Sequence, residues 1–500
     1  MSENDLSECL SRLDGGASDH IDYNQLLRDS VLLLTSPEFS IQTAEWQSRA
    51  IVTIFRRMIS SLHAQSGVVA SLAAPHFLRL LRDPQITLPQ ACLMHESLWG
   101  MWWCAASSLD DMRPIQQNVC LPFHHFLERR GMGMGMEPIR ADRGEGPIRV
   151  AYLSHYSYGA QGNAVAPLVA SLARAHAAIH DREVFVYAVQ WVDDAWLSDQ
   201  FWESRVRVRN IRQDNDYDRL DELFDRLRAD KVDVVITDIT SSIASVLFAR
   251  RVARAQVRLD LGLPYWCPPS LDLVLLSGKR WRDAYPYGQD RAAEISTTQE
   301  LDFIFRTPAE AEIREARASL PEGAQVIGIF TRLIKITPSY LSLIRNVLLR
   351  RPGVHFLVGG TGDPRLLYEF MAAPELAGRI TFLHRNVDLA VYAHAIDIFV
   401  DTFPFIGGLA CREIVAQGVP IFSLRSNEWS LKQEQDRDPA SIAKDEQGLL
   451  LLIDRALSEP EFHRACAAAA AATIGAISDV DTSASEIDAA VVSVLRRNRQ

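Results

Sequence analysis

From residue 1 to about 135, apolar positions recur at helical spacing without strand-like alternation. The clearest runs are 44–62, opening Ala44-Glu-Trp-Gln-Ser-Arg-Ala-Ile-Val, and 65–83. Leu98-Trp99-Gly100-Met101-Trp102-Trp103 adds an aromatic cluster, which reads as buried core in preference to a binding surface. The pattern predicts an all-α N-terminal domain over 1–135. A Gly-Met repeat at 131–136, then Glu137-Pro138 and the glycines and proline of 144–147, predict a linker over 136–147.

At Ile148 the texture changes. Ile148–Ser154 reads as a strand, 164–177 as a helix and Glu183–Val189 as a second strand. A helix at 217–229 precedes a strand at 232–238, and one at 243–254 precedes a strand at 256–261. The rhythm then repeats, with strands at 325–330, 354–360, 379–383, 396–401 and 420–424. Helices at 337–350, 387–395 and 409–417 lie among them, and 440–500 is helical again. Apolar strands that alternate with helices predict parallel, doubly wound sheets with right-handed crossovers. The expected fold class is α/β: two Rossmann-like domains, at 148–304 and 305–458, preceded by the all-α domain and followed by C-terminal helices at 459–500.

Composition changes this picture little. The chain has 500 residues, too many for one ordinary domain, and is 48% hydrophobic, enough to fill several cores. A formal charge of −11 gives no global attraction to nucleic acid or an anionic membrane, so any bound anion must be held locally. The seven cysteines are scattered without a CxxC pair, which points away from a disulfide framework or a zinc site. The acidic N-terminus is unlike a signal peptide, and no apolar run approaches the ~18 residues of a membrane span. A cytoplasmic location is expected.

In an open α/β sheet, ligands bind beyond the carboxyl ends of the strands. Three such loops of the second α/β domain carry candidate chemistry. In Phe330-Thr-Arg-Leu-Ile-Lys335-Ile-Thr-Pro338, a strand delivers Thr331, Arg332 and Lys335, and Thr337-Pro338 opens a helix in N-cap and N1 order. Two cations beside a helix start suit a diphosphate, although an isolated loop lysine is more often merely solvated. In Asp401-Thr-Phe-Pro-Phe405-Ile-Gly407-Gly408-Leu-Ala-Cys-Arg-Glu413, the paired glycines let the backbone approach a ligand at the positive end of a helix. Glu413 is placed to accept two hydroxyl hydrogen bonds from a ribose, or simply to complement the helix dipole. The turn Gly359-Gly360-Thr-Gly-Asp-Pro364 lacks the spacing of a dinucleotide fingerprint and has a supporting role at most. Asp214-Asn-Asp216 and Asp436-Arg-Asp438 have the Asp-x-Asp form of metal-dependent sugar transfer but sit in polar stretches where solvated charge is the simpler reading.

The segment Phe330-Thr-Arg-Leu-Ile-Lys-Ile-Thr-Pro-Ser-Tyr-Leu, followed by Arg351-Pro-Gly-Val-His-Phe-Leu, resembles the lysine-bearing segment of O-linked N-acetylglucosamine transferases. It is also similar to the bacterial cytoplasmic transferases that glucosylate high-molecular-weight adhesins. Ile396–Pro420 resembles the family's nucleotide loop, and its Phe403-Pro404-Phe405 is closest to the adhesin branch. Arg149–Ala170 and Val257–Pro264 extend the resemblance, which spans 148–430 and is strongest at 325–424. No 34-residue repeat is present, unlike the repeat-bearing branch.

The resemblance implies a GT-B fold and a metal-independent, inverting glycosyltransferase. It would move a sugar from a nucleotide diphosphate, a UDP-hexose or UDP-HexNAc, to a protein side chain. The nucleotide sugar is a substrate, and no cofactor is implied. Synthesis of a glycan or lipid-linked polysaccharide, or a catalytically inactive binding protein of the same fold, are the alternatives. By motif, Lys335 takes the place of the diphosphate-binding lysine, Glu413 that of the ribose-binding aspartate, and Gly408–Ala410 that of the loop around the β-phosphate. Leu409 and Ala410 replace the family's hydroxyl or amide side chains, leaving backbone donors only. The family's nucleotide-contacting histidine is matched only if His384 serves. Gln161 falls where the O-linked enzymes carry an active-site histidine, with His155 nearby. The acceptor side would be lined by His155, Tyr158, Gln161, Asp238 and Tyr265, with His155 or Asp238 as the base.

Overall fold

The computed structural model of the chain describes residues 8–11, 23–58, 65–105, 109–130, 146–154, 165–189, 201, 204–211, 216–239, 242–260, 268–277, 291–296, 305–425, 438–475 and 479–498. Residues 1–159, 173–295 and 484–500 form one unit, and 160–172 with 296–483 form a second. The N-terminal helices are α1 (Tyr23–Thr35), α2 (Pro37–Ile41), α3 (Ala44–Met58), α4 (Ser66–Leu80), α5 (Leu88–Ala105) and α6 (Leu109–Ile115). A π-helical segment, Gln116–Cys120, leads into α7 (Leu121–Arg129). Their apolar faces bury Phe39, Ile54, Phe77, Leu98 and Phe123, as the helical spacing requires. Trp99 and Trp102 are only partly buried. The helices approach closely: a Cβ on Gly100 would stand 2.5 Å from the Phe55 ring.

The first unit's sheet is all parallel, in the order β3-β2-β1-β4-β5-β6-β7. Its strands are β1 (Ile148–Ser154), β2 (Arg182–Ala188), β3 (Arg207–Asn210), β4 (Val234–Thr237), β5 (Ala255–Asp260), β6 (Leu273–Ser277) and β7 (Ala292–Ile295). The helices α8 (Val165–Ala178), α9 (Asp216–Ala229) and α10 (Ser242–Ala249) fall among them in the chain. Leu153 pairs with Thr237 and Thr237 with Arg258, so β1, β4 and β5 end nearly level. Glu96, on α5, accepts from the Ser242 N–H at 3.0 Å and from its hydroxyl at 2.6 Å. That carboxylate sits at the positive end of α10 and fastens the N-terminal helices to this sheet.

The second unit follows the same logic. Its strands are β8 (Gln325–Phe330), β9 (Val354–Gly359), β10 (Ile380–Leu383), β11 (Ile398–Val400), β12 (Ile421–Leu424) and β13 (Ile442–Ala443), parallel in the order β10-β9-β8-β11-β12-β13. Helices α11 (Glu310–Ala318), α12 (Pro338–Arg350), α13 (Arg365–Met371), α14 (Leu389–Ala393) and α15 (Leu409–Ala416) accompany them, followed by α16 (Glu446–Ser458) and α17 (Pro460–Gly475). β9 is buried along its whole length, which explains its unbroken apolar run. A Cβ on Gly328, in β8, would stand 2.5 Å from Ile396, so glycine there is a packing requirement. β3, β6 and β7 extend the first sheet beyond the strands expected from the sequence.

The final helix, α18 (Val480–Arg497), brings residues 484–500 to the first unit. Asp488 anchors it there, accepting from Arg182 Nε at 2.5 Å and Nη2 at 2.9 Å, with His176 Nε2 3.2 Å away. The other ring nitrogen of His176 meets the buried Tyr152 hydroxyl at 2.9 Å. Burial opposes ionisation of Asp488, but its bonds and charges with His176 and Arg182 win and hold it well below the ordinary carboxylate range. Hydrogen bonds to charged groups contribute about 1.5–3 kcal/mol. Asp488→Ala should therefore lower stability by about 2 kcal/mol in chemical denaturation at pH 7. Because this pKa is depressed on folding, the contribution is present above the unfolded value and fades as pH falls, so the gap between wild type and variant should narrow in acid.

Candidate functional site

The carboxyl edge of the second unit's sheet is organised around a buried acid. Asp401 follows β11 and is fully buried. Its Oδ1 accepts from the Thr402 N–H at 2.9 Å and the Gly407 N–H at 2.8 Å, folding 401–407 back on itself. Thr402 Oγ1 closes the same loop by donating to the Phe405 carbonyl at 2.6 Å. A Cβ on Gly407 would stand 2.8 Å from that carboxylate and 2.5 Å from Cys411 Sγ, so only glycine fits. Gly408 differs: a Cβ there would meet nothing within 4 Å, and the residue is exposed at the N-cap of α15. The first N–H groups of α15 thus start beside open space without a side-chain cap.

The Lys335 loop is laced to this one. Lys335 ends a short 3-10 turn, Leu333–Lys335, and its Nζ donates to the Ile406 carbonyl at 2.8 Å. This places the ammonium one residue from Gly407. Thr337 caps α12 by accepting from the Tyr340 N–H, and its own hydroxyl donates to the Phe403 carbonyl at 3.0 Å. The buried Tyr340 hydroxyl donates to the Val400 carbonyl at 2.9 Å. Burial, with the Asp401 charge adding to it, raises the Tyr340 phenol well above its usual range, so it stays a donor.

The third loop completes the edge. The Thr331 N–H donates to the Gly359 carbonyl at 2.9 Å and the Leu333 N–H to the Thr361 carbonyl at 2.9 Å. A side chain on Gly360 would overlap the Thr331 carbonyl oxygen, which is why glycine stands there. His384, exposed at the end of β10, lies 3.1 Å from the Gly362 carbonyl and stacks on Phe382 at 5.2 Å. Arg332 is exposed and Phe405 buried.

Glu413 lies one turn into α15. Burial pushes its carboxyl up to about 8, and the negative charge of Asp388 adds to the rise. Asp388 itself caps α14, accepting from the Ala390 and Val391 N–H groups, and pairs with Arg306. The sequence singled out Thr337 as a helix cap, but not Asp401, Tyr340 or Asp388 as parts of this edge.

Of the residues expected on the acceptor side, Asp238 is described, buried just beyond β4. His155, Tyr158, Gln161 and Tyr265 lie outside the described residues. In the Asp-x-Asp triplets, Asp438 caps a 3-10 turn through the Ala440 N–H at 3.1 Å; Asp214 and Asp436 lie outside the described residues. No cluster of three His, Cys, Asp or Glu side chains is placed to hold a metal ion among the described residues. No described helix is long and apolar enough to cross a membrane. A cavity of about 520 Å³ lies at the opposite edge of the second unit, lined by Arg350, Arg351 and Asp454. Its arginines pair with Asp454 near the negative end of α12, which makes it a poor anion seat.

No protein-family model matches the sequence, and comparison with curated proteins finds no match. Solved structures do match. A lysine-to-methionine variant of Thermobaculum terrenum O-GlcNAc transferase aligns over 100% of this chain and 99% of its own, at 19% identity and a TM-score of 0.54. Anabaena HepE in complex with UDP and glucose aligns over 69% of this chain and 100% of its own, at 15% identity and a TM-score of 0.55. WaaG, a glycosyltransferase involved in lipopolysaccharide biosynthesis, covers 68% and 99% respectively, at 11% identity and a TM-score of 0.50. At these identities the likeness establishes the fold: an α/β GT-B architecture with two Rossmann-like sheets.

The electrostatics of Glu413 are open to direct measurement. Asp388→Asn keeps an oxygen to cap α14 and removes the like charge. The Glu413 titration midpoint, read by carbon NMR, should fall below about 8 yet stay above the ordinary carboxylate range, because burial is its larger cause.

Proposed function

We propose that this chain is a glycosyltransferase that moves a sugar from a nucleoside diphosphate, UDP-hexose or UDP-HexNAc, onto a protein side chain. The observation that carries the reading is the Lys335 ammonium, bonded to the Ile406 carbonyl at the uncapped start of α15. A cation and a helix N-terminus at the carboxyl edge of one sheet are what a diphosphate requires. The GT-B fold supports the assignment, since HepE, one of its structural neighbours, is seen in complex with UDP and glucose.

In this reading Lys335 and the Gly408–Ala410 N–H groups bind the diphosphate, with Thr331, Arg332 and Gly360 bordering it. Glu413 takes the ribose, and His384 and Phe405 flank the nucleoside. Breaking the anomeric carbon–oxygen bond builds charge on the leaving diphosphate. The ammonium and the N–H groups stabilise that charge in place, without a metal and with inversion. His155 and Asp238 of the first unit are the candidate bases, with Tyr158, Gln161 and Tyr265 on the acceptor side. Its place of action would be the cytoplasm.

A second reading, a glycan or lipid-linked acceptor, is favoured by the likeness to WaaG. Co-expression with labelled donor separates the two: mass shifts on protein support the first, and label in glycan or lipid the second.

Charge-assisted hydrogen bonds contribute about 1.5–3 kcal/mol, and each 1.36 kcal/mol is tenfold. Lys335→Ala should weaken UDP binding roughly 10- to 150-fold in calorimetry and abolish transfer, with an unfolding midpoint close to wild type. Near-normal turnover by that variant would remove the proposal.

A further inference from the structure

Within the first unit, the N-terminal helices join the sheet through α10, on which both α5 and α7 pack. Each of these three helices brings a buried polar group that the junction does not satisfy. His95, on α5, is fully buried, and neither of its ring nitrogens meets a hydrogen-bond partner among the described residues. His124 Nδ1, on α7, and Ser245 Oγ, on α10, are buried and unmatched in the same way. Folded proteins rarely keep such atoms, because the hydrogen bonds of water are lost and nothing replaces them. Glu96 is the polar clasp of the junction, through Ser242 at the start of α10, and His95 is its chain neighbour.

The surroundings of His95 are apolar. Its ring stacks on Phe123 of α7, with centroids 4.3 Å apart. α10 reads Ser-Ile-Ala-Ser-Val-Leu-Phe-Ala and carries no charge. The charged or titratable groups on the other helices packed around α5 are Glu45, Arg49, Arg56 and Arg57 on α3, His76 and Arg79 on α4, and Asp111 and Arg113 on α6. On α7 they are His124, His125, Glu128 and Arg129. None of them acts on the His95 ring, which burial alone pushes down to about 3. Burial raises the Cys120 thiol of the π-helical segment, so it stays neutral. An imidazole in water titrates near 6.5. Below that value an exposed His95 takes up a proton that the packed ring refuses, so acid favours the open junction. The effect is absent above the exposed value and grows as pH falls toward the folded one.

We propose that His95 makes this junction an acid-sensitive joint, whose protonation parts the N-terminal helices from α10 and the first sheet. The joint lies wholly in the first unit and is independent of the donor-site reading. A proton from water binds the ring, and the imidazolium, which would have neither acceptor nor counter-charge in the core, comes to rest in solvent. His124 and Ser245 regain water in the same step, which lowers the cost of opening. Local opening of this kind belongs to the parts of a fold where buried contacts repay least.

Hydrogen–deuterium exchange on the full chain, corrected for the intrinsic amide rate at each pH, reads the opening of each helix. His95→Phe keeps a ring on Phe123 and removes the titrating group. Between about pH 6 and pH 5, the opening constant of α5, α7 and α10 should rise roughly eightfold more in wild type than in His95→Phe, the linkage of one proton. His95→Gln, which cannot titrate either, should match His95→Phe and separates charge from ring packing. β8 and α12 of the second unit should show no such difference between wild type and variants. Equal rises in wild type and both variants would overturn the proposal. A His95-dependent rise as large in β8 and α12 would overturn it too, because the whole chain, and not the joint, would then be opening.

Discussion

The Asp401 carboxylate holds the candidate donor edge together. It is buried, and a buried charge is tolerable only when hydrogen bonds replace its water. The Thr402 and Gly407 N–H groups supply them, so the loop between β11 and α15 has little freedom to adopt another shape. Gly407 follows from this constraint, because any side chain would press on the carboxylate and on Cys411. The placement of the Ile406 carbonyl follows too, and with it the direction of Lys335. Thr337 and Tyr340 tie the start of α12 to the same loop through the Phe403 and Val400 carbonyls. Two strand-end loops are thereby one rigid object, with a cation and a helix start on its open side.

Local charge runs against the charge of the whole. The chain carries a formal −11, yet this edge offers Lys335 and the positive end of α15. Glu413 would oppose an anion there if it were fully ionised. Burial and the Asp388 charge push its carboxyl up to about 8, so at neutral pH it is mostly protonated and adds little negative charge. A protonated carboxyl both donates and accepts, a combination suited to a vicinal diol. The first unit buries an acid as well: one oxygen of Asp238 accepts from the Ser154 hydroxyl, and the other meets no donor among the described residues.

Much of this was legible in the sequence wherever local pattern and tertiary role coincide. The strands of 148–154, 325–330 and 354–359 are buried on both faces, so their apolar runs announce them. Thr337-Pro338 is a local helix-start signal and caps α12 as expected. β7 was not legible: Ala292-Ala-Glu-Ile295 has little strand propensity and is held by its ladder with β6. β3, Arg207-Val-Arg-Asn210, is a polar edge strand whose composition mimics a loop. In the candidate site, Lys335 and the glycines stood out because their types and places are local. Asp401 did not, since a strand-end acid looks the same whether solvated or buried as a hub. The raised pKa of Glu413 comes from burial first and the Asp388 charge second, and only folding supplies either.

The central claim is that the Lys335 loop and the start of α15 form a seat for a nucleoside diphosphate. Hydrogen–deuterium exchange with and without saturating UDP tests it most directly, because it reports the backbone donors themselves. The account predicts protection concentrated at 331–337 and 405–413, with little change at 350–354 on the opposite edge. Uniform exchange across those two loops, or protection confined to another part of the chain, would contradict it.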